Sequence, residues 1–265
     1  MIKNIRLFPN FNDKSLQLAD ILVEKLVNNG FTLCEKDYDL GIAIGGDGSF
    51  LHMLKDNNFN TLASYIGVNA GTLGFLQEIR PDNIDKFIEN LGNEEYKTDM
   101  IGIQETNINY QQECESFYSL NEIAIERSNR KLFTTKVLVD DEYLETFDGD
   151  GLIIATSVGS TAHNLSYGGS IIHSNLHTLQ ITPKGGLNNK AFSSLLNSII
   201  LPEDKIITLI PREDNRDIMI SIDGVDRIYN DVSKVETTVA DKKIKCLRMN
   251  NYNFINVVNE KLLGK

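Results

Sequence analysis

The sequence predicts an α/β N-terminal domain with a parallel sheet and a Gly-Gly-Asp-Gly loop, followed by a mostly β C-terminal domain. Three observations carry this. Up to about residue 95, short apolar runs alternate with stretches of helical periodicity, the pattern of a parallel α/β layer. From about residue 98 to 250 the helical stripes give way to short β-rich runs. Within the first half, Asp39-Leu40-Gly41-Ile42-Ala43-Ile44-Gly45-Gly46-Asp47-Gly48-Ser49-Phe50-Leu51 reads as a buried strand, a glycine turn holding one carboxylate, and the start of a helix. The boundaries drawn from these patterns are an α/β domain over 1–97 and a β-rich domain over 98–253. A helix over about 254–263 is expected to return to the first domain.

The elements follow in order. Residues 2–8 alternate into a strand that ends at Pro9. Asn12 or Asp13 can cap a helix over 15–29, with Leu18, Ile21, Leu22, Val23, Leu26 and Val27 as a broad apolar stripe and Gly30 closing it. Residues 31–34 make a second strand and 40–44 a third, apolar throughout as in a parallel strand covered on both faces. Residues 61–68 make a fourth, ending in the glycine-punctuated turn Asn69-Ala70-Gly71-Thr72-Leu73-Gly74-Phe75. Both glycine turns then lie at the carboxyl ends of neighbouring strands, where open α/β sheets bind ligands. Pro81 opens a helix whose Ile84, Phe87, Ile88 and Leu91 fall on one face. In the second half, β-runs are read at 123–126, 135–139, 151–155, 205–210, 218–222 and 243–247, with Asp140-Asp141 as a hairpin turn.

Composition narrows the function. The chain has 265 residues, 24% charged and 41% hydrophobic, the profile of an ordinary globular protein able to bury a large core. A net charge of −11 and the lack of a basic stripe argue against nucleic acid and anionic membrane as partners. The N-terminus has no signal-length apolar run, and no segment is long enough to span a bilayer. Cys34, Cys114 and Cys246 are far apart, without metal-ligand spacing, as expected of reduced thiols in a cytoplasmic protein. His173 and His177 stand at i, i+4, but the Glu of a His-Glu-x-x-His zinc motif is missing.

The first glycine turn carries the chemistry. A P-loop needs Gly-Lys-Ser/Thr, and no such run exists; the dinucleotide fingerprint needs a third glycine where Leu51 stands. Gly45, Gly46, Gly48 and Ser49 make a loop that phosphates can approach closely, with helix N-terminal amides beyond it. Asp47 repels phosphate unless it handles a metal or a proton. A plain turn with a capping aspartate is the bland reading, and capping does not call for three glycines. An acidic chain that binds phosphates must rely on amides, a few local cations and a divalent metal.

Two further stretches are singled out. Between Asp148 and Gly169 a buried-type strand leads into Thr156-Ser157-Val158-Gly159-Ser160-Thr161-Ala162-His163-Asn164-Leu165-Ser166, dense in hydroxyls, amides and small residues that suit ribose and phosphate oxygens. Asn121-Glu122 interrupts an otherwise strand-like run, so at least one of them is aimed inward and needs a polar partner. A ribose diol is one such partner, a structural hydrogen bond the other.

Together these motifs resemble NAD kinases, in that family's order and approximate spacing, from the third strand to Ile222-Asp223-Gly224. Taken alone, Gly-Gly-Asp-Gly is shared with lipid kinases and phosphofructokinases. The resemblance implies transfer of the terminal phosphate of ATP to the 2′-hydroxyl of the adenosine ribose of NAD, with Mg²⁺ or another divalent metal. It implies Asp47 as proton acceptor, and Gly48, Asn121, Glu122, Asp150, Thr161, Ala162, His163, Asn164, Leu165 and Ser166 as the dinucleotide's contacts. His52, Lys131 and Gly185 match less sharply defined contact positions, and Phe75 matches an aromatic beside the adenine. A homo-oligomer, dimer or tetramer, is implied as well.

The chain also departs from the family pattern. His163 replaces a tyrosine. Asp148 stands at a substrate-side position that is often basic or neutral, and makes the site more acidic. Ser174 and Ser157 replace prolines. An unperturbed imidazole titrates near 6.5, so His163 predicts NAD affinity that varies between about pH 6 and 7.5. Two rival functions remain: a lipid kinase of the same loop type, and a non-catalytic NAD-binding sensor.

Overall fold

The computed structural model describes residues 2–71, 74–129 and 131–264, with only the backbone of Asn215. Thr72 and Leu73, within the second glycine turn, lie outside the described residues. The chain divides into two compact units, one of residues 1–101 with 243–265, the other of residues 102–242.

The first unit is a parallel α/β layer. It comprises β1 (Asn4–Pro9), α1 (Asp13–Asn28), β2 (Thr32–Leu33), β3 (Leu40–Gly45), α2 (Asp47–Asp56), β4 (Ser64–Asn69) and α3 (Ile84–Gly92). The strands run in the order β2-β1-β3-β4, all parallel. Lys245 and Cys246 add a further parallel neighbour beside Ser64 and Tyr65 of β4. That pairing is why residues 243–247, read from sequence as part of the β-rich half, cluster with this unit. Every residue of β3 is buried, as a strand covered on both faces must be.

Asn12 caps α1, its Oδ1 accepting from the Ser15 amide at 2.9 Å. The apolar stripe of α1 is narrower than its sequence predicts: Leu18, Leu22 and Leu26 are buried, while Ile21, Val23 and Val27 are 45%, 39% and 53% exposed. One 3.6-residue face is all that the sheet can cover. On α3 the predicted residues Ile84, Phe87, Ile88 and Leu91 are all buried in the same core. Pro81 opens a separate short turn, Pro81–Asn83, just before the helix.

The second unit is a sandwich of two largely antiparallel layers around one core. Its strands are the latter part of β5 (Tyr96–Tyr110), then β6 (Glu113–Ser119), β7 (Glu122–Arg127), β8 (Phe133–Val139), β9 (Glu142–Gly149) and β10 (Gly151–Thr156). After the short helix α4 (His163–Ser166) come β11 (Thr178–Lys184), β12 (Ile199–Pro202), β13 (Ile207–Pro211), β14 (Ile218–Ile222), β15 (Val225–Tyr229) and the first part of β16 (Val232–Met249). One sheet is ordered β12-β11-β10-β7-β14-β15. Ile123, Ile125, Leu152, Ile154, Ile218 and Ile220 from this sheet meet Phe133, Val137, Phe147, Ile207 and Leu209 from the other layer.

Alternation along β7 therefore turns Glu122, Ala124 and Glu126 to the opposite face of that sheet. Asp140 and Asp141, at φ 49° and 66°, make the hairpin turn between β8 and β9. The sequence reading expected short runs throughout this half, yet β5 spans 15 residues and β16 spans 18. Their charged and hydroxylic residues conceal the strand pattern.

After β16, α5 (Phe254–Val258) runs into a wider turn of helix, Asn259–Leu263. Among the described residues no helix is long and apolar enough to cross a membrane.

Candidate active site

In the first unit, β3 ends at Gly45, beside Asn69 at the end of β4. Asp47 is the first residue of α2, and Gly46, the cap residue, makes no side-chain hydrogen bond. Asp47 does not cap its own helix. Its Oδ2 accepts the Phe75 amide at 3.0 Å and its Oδ1 the Leu76 amide at 2.9 Å. The carboxylate is thereby aimed by two amides from the neighbouring glycine turn.

Gly74 is what permits this, since a Cβ there would stand 1.9 Å from Asp47 Oδ1. Gln77, fully buried, donates from Nε2 to the Gly46 carbonyl at 2.7 Å and fixes the other side of the loop. Ser49 Oγ is buried and, among the described residues, has no hydrogen-bond partner, as is true of Gln77 Oε1. Gly48 is exposed, Asp47 and Phe75 half-buried, and His52 exposed further along α2.

In the second unit Asn121, Glu122, Thr156, Gly159 and Asp223 meet at one end of β7 and β10, while Asp150 lies at the other end of β10, where Gly151 pairs with Glu126. Asp223, at the β14–β15 turn, accepts three successive amides: Leu120 at 2.9 Å, Asn121 at 2.8 Å and Glu122 at 3.3 Å. Thr156 Oγ1 donates to the Leu120 carbonyl at 2.6 Å and accepts the Gly159 amide at 3.1 Å. Gly159 has no room for a side chain, because its Cβ would lie 1.9 Å from the Asn121 carbonyl oxygen. The segment carrying Asn121 and Glu122 is thus pinned from both sides.

The hydroxyl-rich loop folds over this pin. Asn164 is fully buried and its carboxamide is spent inside the protein, donating to the Ser160 carbonyl at 3.1 Å and accepting from Thr182 Oγ1 at 2.6 Å. Thr161, Ala162, His163 and Leu165 are half-buried and Ser166 is exposed. The His163 ring meets Tyr167 edge-on at 5.2 Å, and Lys184 Nζ lies 4.8 Å from the Tyr167 ring while pairing with Glu126 at 2.6 Å.

Asp150, exposed, lies against Gly185, whose Cβ would be 2.4 Å from Asp150 Oδ2. Asp148 is buried and accepts from Thr134 Oγ1 at 2.6 Å, while its amide donates to Ser194 Oγ at 2.8 Å. Lys131 is exposed at the surface, its amide donating to Asn129 Oδ1 at 3.2 Å.

The comparisons give this geometry a family. Residues 9–96 match the ATP-NAD kinase N-terminal domain model, and residues 120–249 match the ATP-NAD kinase C-terminal domain model. The chain is 38% identical to an NAD kinase of Finegoldia magna, with 96% of each chain covered. The chain belongs to the NAD kinase family. It is also similar to an NAD kinase of Streptococcus gordonii, 31% identical over 99% of this chain and 96% of the relative.

Among solved structures, yeast NADH kinase complexed with NADH superposes with a TM-score of 0.86 at 20% identity, covering 99% of this chain and 88% of that one. An Archaeoglobus fulgidus NAD kinase in complex with ATP gives 0.77 at 17% identity, covering 100% and 98%. At these identities the likeness is one of fold, and it agrees with the two-domain reading.

Two titratable groups of the enzyme are set by their surroundings. Burial pushes the Glu122 carboxyl up to about 8, and the nearby Asp223 charge adds to the shift while the His163 and Asn164 amides oppose it. Glu122 therefore keeps a proton at neutral pH and can donate as well as accept a hydrogen bond. Between the ordinary 4.5 and about 8 the folded enzyme holds a proton that the unfolded chain has lost. This group's contribution is complete at low pH, declines as pH rises through that window, and is gone above it. Glu122→Gln is expected to flatten this part of the stability profile, measured as the urea midpoint from pH 5 to pH 9. A variant curve parallel to wild type would refute the assignment.

His163 is shifted the other way, below its ordinary 6.5, by burial first and the Lys184 charge second, against Glu126 and Asp226. The pH dependence predicted from its sequence position accordingly moves to more acidic conditions.

Sequence reasoning did not single out Asp223 as a clamp, Gln77 as a loop brace, or the Phe75 and Leu76 amides as partners of Asp47. Asp223-Gly224 is visible as a hairpin turn, at φ 46° and 77°, but its carboxylate serves residues about a hundred positions upstream.

Proposed function

We propose that this chain transfers the terminal phosphate of ATP to the 2′-hydroxyl of the adenosine ribose of NAD, making NADP, with Asp47 accepting the hydroxyl proton. The observation that carries this is the Asp47 carboxylate on a glycine turn, held by the amides of Phe75 and Leu76 instead of capping its own helix. Phosphoryl transfer is mostly positioning and charge neutralisation, so one oriented base beside an open amide loop is the right equipment. Gly45, Gly46, Gly48 and Ser49 offer the loop to the triphosphate.

Asn121, protonated Glu122, Asp150 and residues 161–166 hold the dinucleotide. The Asn164 side chain does so indirectly, by shaping the loop through Ser160 and Thr182. Phe75 stacks beside the adenine; Asp148 shapes the strand end through Thr134 and Ser194. His52, Lys131 and Gly185 are peripheral contacts.

The residues present fit a divalent metal that comes with the phosphates. Among the described residues no group of three or more His, Cys, Asp or Glu gathers to cage an ion by itself. Ser49 Oγ, buried and unpartnered, would hold it together with phosphate oxygens, the usual economy of Mg²⁺ in phosphoryl-transfer sites. The metal would neutralise charge on the β- and γ-phosphates.

A sensor would gain nothing from a carboxylate facing phosphates, and a lipid kinase would need an apolar acceptor cleft where residues 156–166 are polar. An enzyme-coupled assay for NADP formed from NAD, ATP and Mg²⁺ separates the three readings. NAD binding without NADP would support the sensor, and neither would remove the proposal. The working form is proposed to be a cytoplasmic homo-oligomer; sedimentation showing a fully active monomer would refute the assembly.

At His163 the smaller ring is expected to keep part of a base-stacking contact worth roughly 1–3 kcal/mol. His163→Tyr should tighten NAD binding and His163→Ala weaken it, by a few-fold to tenfold. Equal affinities by calorimetry would remove His163 from the dinucleotide site.

A further inference from the structure

The loop around Asp47 contains no Lys or Arg between Gly45 and Ser49, and the chain as a whole is strongly acidic. A transferring phosphoryl group nevertheless needs cationic donors at its oxygens. We infer that Lys261, on the last helical turns of the chain, is a catalytic residue that supplies one of those donors beside Asp47. This rests on the kinase reading above.

Two contacts place the ammonium. Lys261 Nζ stands 3.7 Å from Asp47 Oδ2 and 5.4 Å from the centre of the Phe75 ring. The first distance exceeds that of a hydrogen bond, and both Asp47 oxygens already accept amides. The ammonium is therefore held near the carboxylate by charge, and among the described residues its three N–H groups make no hydrogen bond. The Lys261 side chain is 27% exposed and that of Asp47 31%, so both remain accessible to a ligand.

The helix that carries Lys261 buries no side chain of its own, which makes its few polar pins decisive. Glu260 pairs with Arg80. Just before the helix, the Met249 amide donates to Glu78 Oε1 at 2.6 Å, and Arg248 stacks over the Tyr252 ring at 4.3 Å. Asn253 caps the helix, its Oδ1 accepting the Asn256 amide at 3.2 Å. Arg80 and Glu78 belong to the segment that also presents the Phe75 and Leu76 amides. One short stretch, residues 75–80, thus sets both the carboxylate and the cation.

In the reaction the ribose 2′-oxygen bonds to the γ-phosphorus, and the bond from that phosphorus to the β–γ bridging oxygen breaks, its electron pair leaving on ADP. The hydroxyl proton passes to Asp47. Lys261 keeps its protons throughout and donates hydrogen bonds to equatorial oxygens of the group in transit, where negative charge is spread.

The test is steady-state kinetics of Lys261→Met and Lys261→Arg beside wild type, with NAD affinity by calorimetry and the thermal midpoint of each. Lys261→Met is expected to lower kcat by about 10- to 100-fold with NAD affinity and thermal midpoint close to wild type, and Lys261→Arg to recover most of the loss. A structural role would move the midpoint, and a role in holding NAD would move affinity alone; either result overturns the inference. So does an unchanged kcat, or a raised one, which would make the ammonium a restraint on Asp47. If wild type itself forms no NADP, the kinase reading falls, and that outcome is distinct from a wild type that works and a Lys261→Met variant that works equally well.

Discussion

Asp47→Asn is expected to fold and to bind NAD near wild-type affinity while its turnover falls by about 100-fold or more. A positioned general base is worth typically about 10²- to 10⁴-fold in rate, and a carboxamide cannot take the hydroxyl proton. The structure adds a second cost, in stability. Two amides, from Phe75 and Leu76, point at the two carboxylate oxygens. Asparagine keeps one acceptor and turns an NH₂ toward the other amide, at a cost of about 1–3 kcal/mol in a partly buried setting. The urea midpoint of the variant should therefore drop as well, by a stability loss comparable with the roughly 2.7 kcal/mol that a 100-fold fall in turnover represents. Measured together, kcat, NAD affinity and midpoint separate the two effects. A variant with near-normal kcat would mean that Asp47 only braces the loop.

The second large effect is expected at Asp223, in stability and not in chemistry. Its carboxylate accepts the amides of Leu120, Asn121 and Glu122, all buried. Asp223→Ala leaves three donors without this acceptor, and amides left unpaired in a buried setting cost about 1–3 kcal/mol each. Part is returned once pH exceeds about 8, where Glu122 is ionised and the Asp223 charge would otherwise press on it. The net expectation is a loss of about 3 kcal/mol with weaker NAD binding, while Asp223→Asn, which retains one acceptor oxygen, falls between. The same change should bring the Glu122 carboxyl down from about 8, narrowing the pH window over which stability declines. Chemical denaturation of both variants at pH 6 and pH 9 checks both statements. A midpoint within experimental scatter of wild type for Asp223→Ala would show that the clamp is dispensable.

The first unit was largely legible in the sequence because its parts are local. The apolar run of β3 with its glycines, the Pro81 punctuation and the Ile84, Phe87, Ile88, Leu91 face of α3 each span a few residues and have one structural solution. The stripe on α1 was over-read at Ile21, Val23 and Val27, since apolar residues on a helix flank count toward periodicity whether or not a sheet reaches them. β5 and β16 were illegible as single long strands because Gln104, Thr106 and Thr237 put polar side chains at buried positions, where they hydrogen-bond one another, and so break the apolar-in, polar-out alternation that marks a strand.

The candidate site is marked in the sequence by residue type, as with Asp47 among its glycines and Asn121-Glu122 interrupting a strand-like run. What escaped was every partnership across sequence distance. The amides of Phe75 and Leu76 have no side-chain signature, and Lys261 and Asp223 acquire meaning only from the residues they reach. Asn164 illustrates the converse: its residue type suggests a ligand contact, and the fold spends its carboxamide on Ser160 and Thr182.

The most direct test of the central claim is a single-turnover experiment with ATP labelled in its γ-phosphate, NAD and Mg²⁺, run with wild type and Asp47→Asn and resolved by the position of the label. Wild type is expected to deliver the label to the 2′-oxygen of the adenosine ribose of NAD, and Asp47→Asn to do so at least about 100-fold more slowly. Label appearing at that oxygen at equal rates with both proteins, or appearing only as free phosphate with wild type, would contradict that claim.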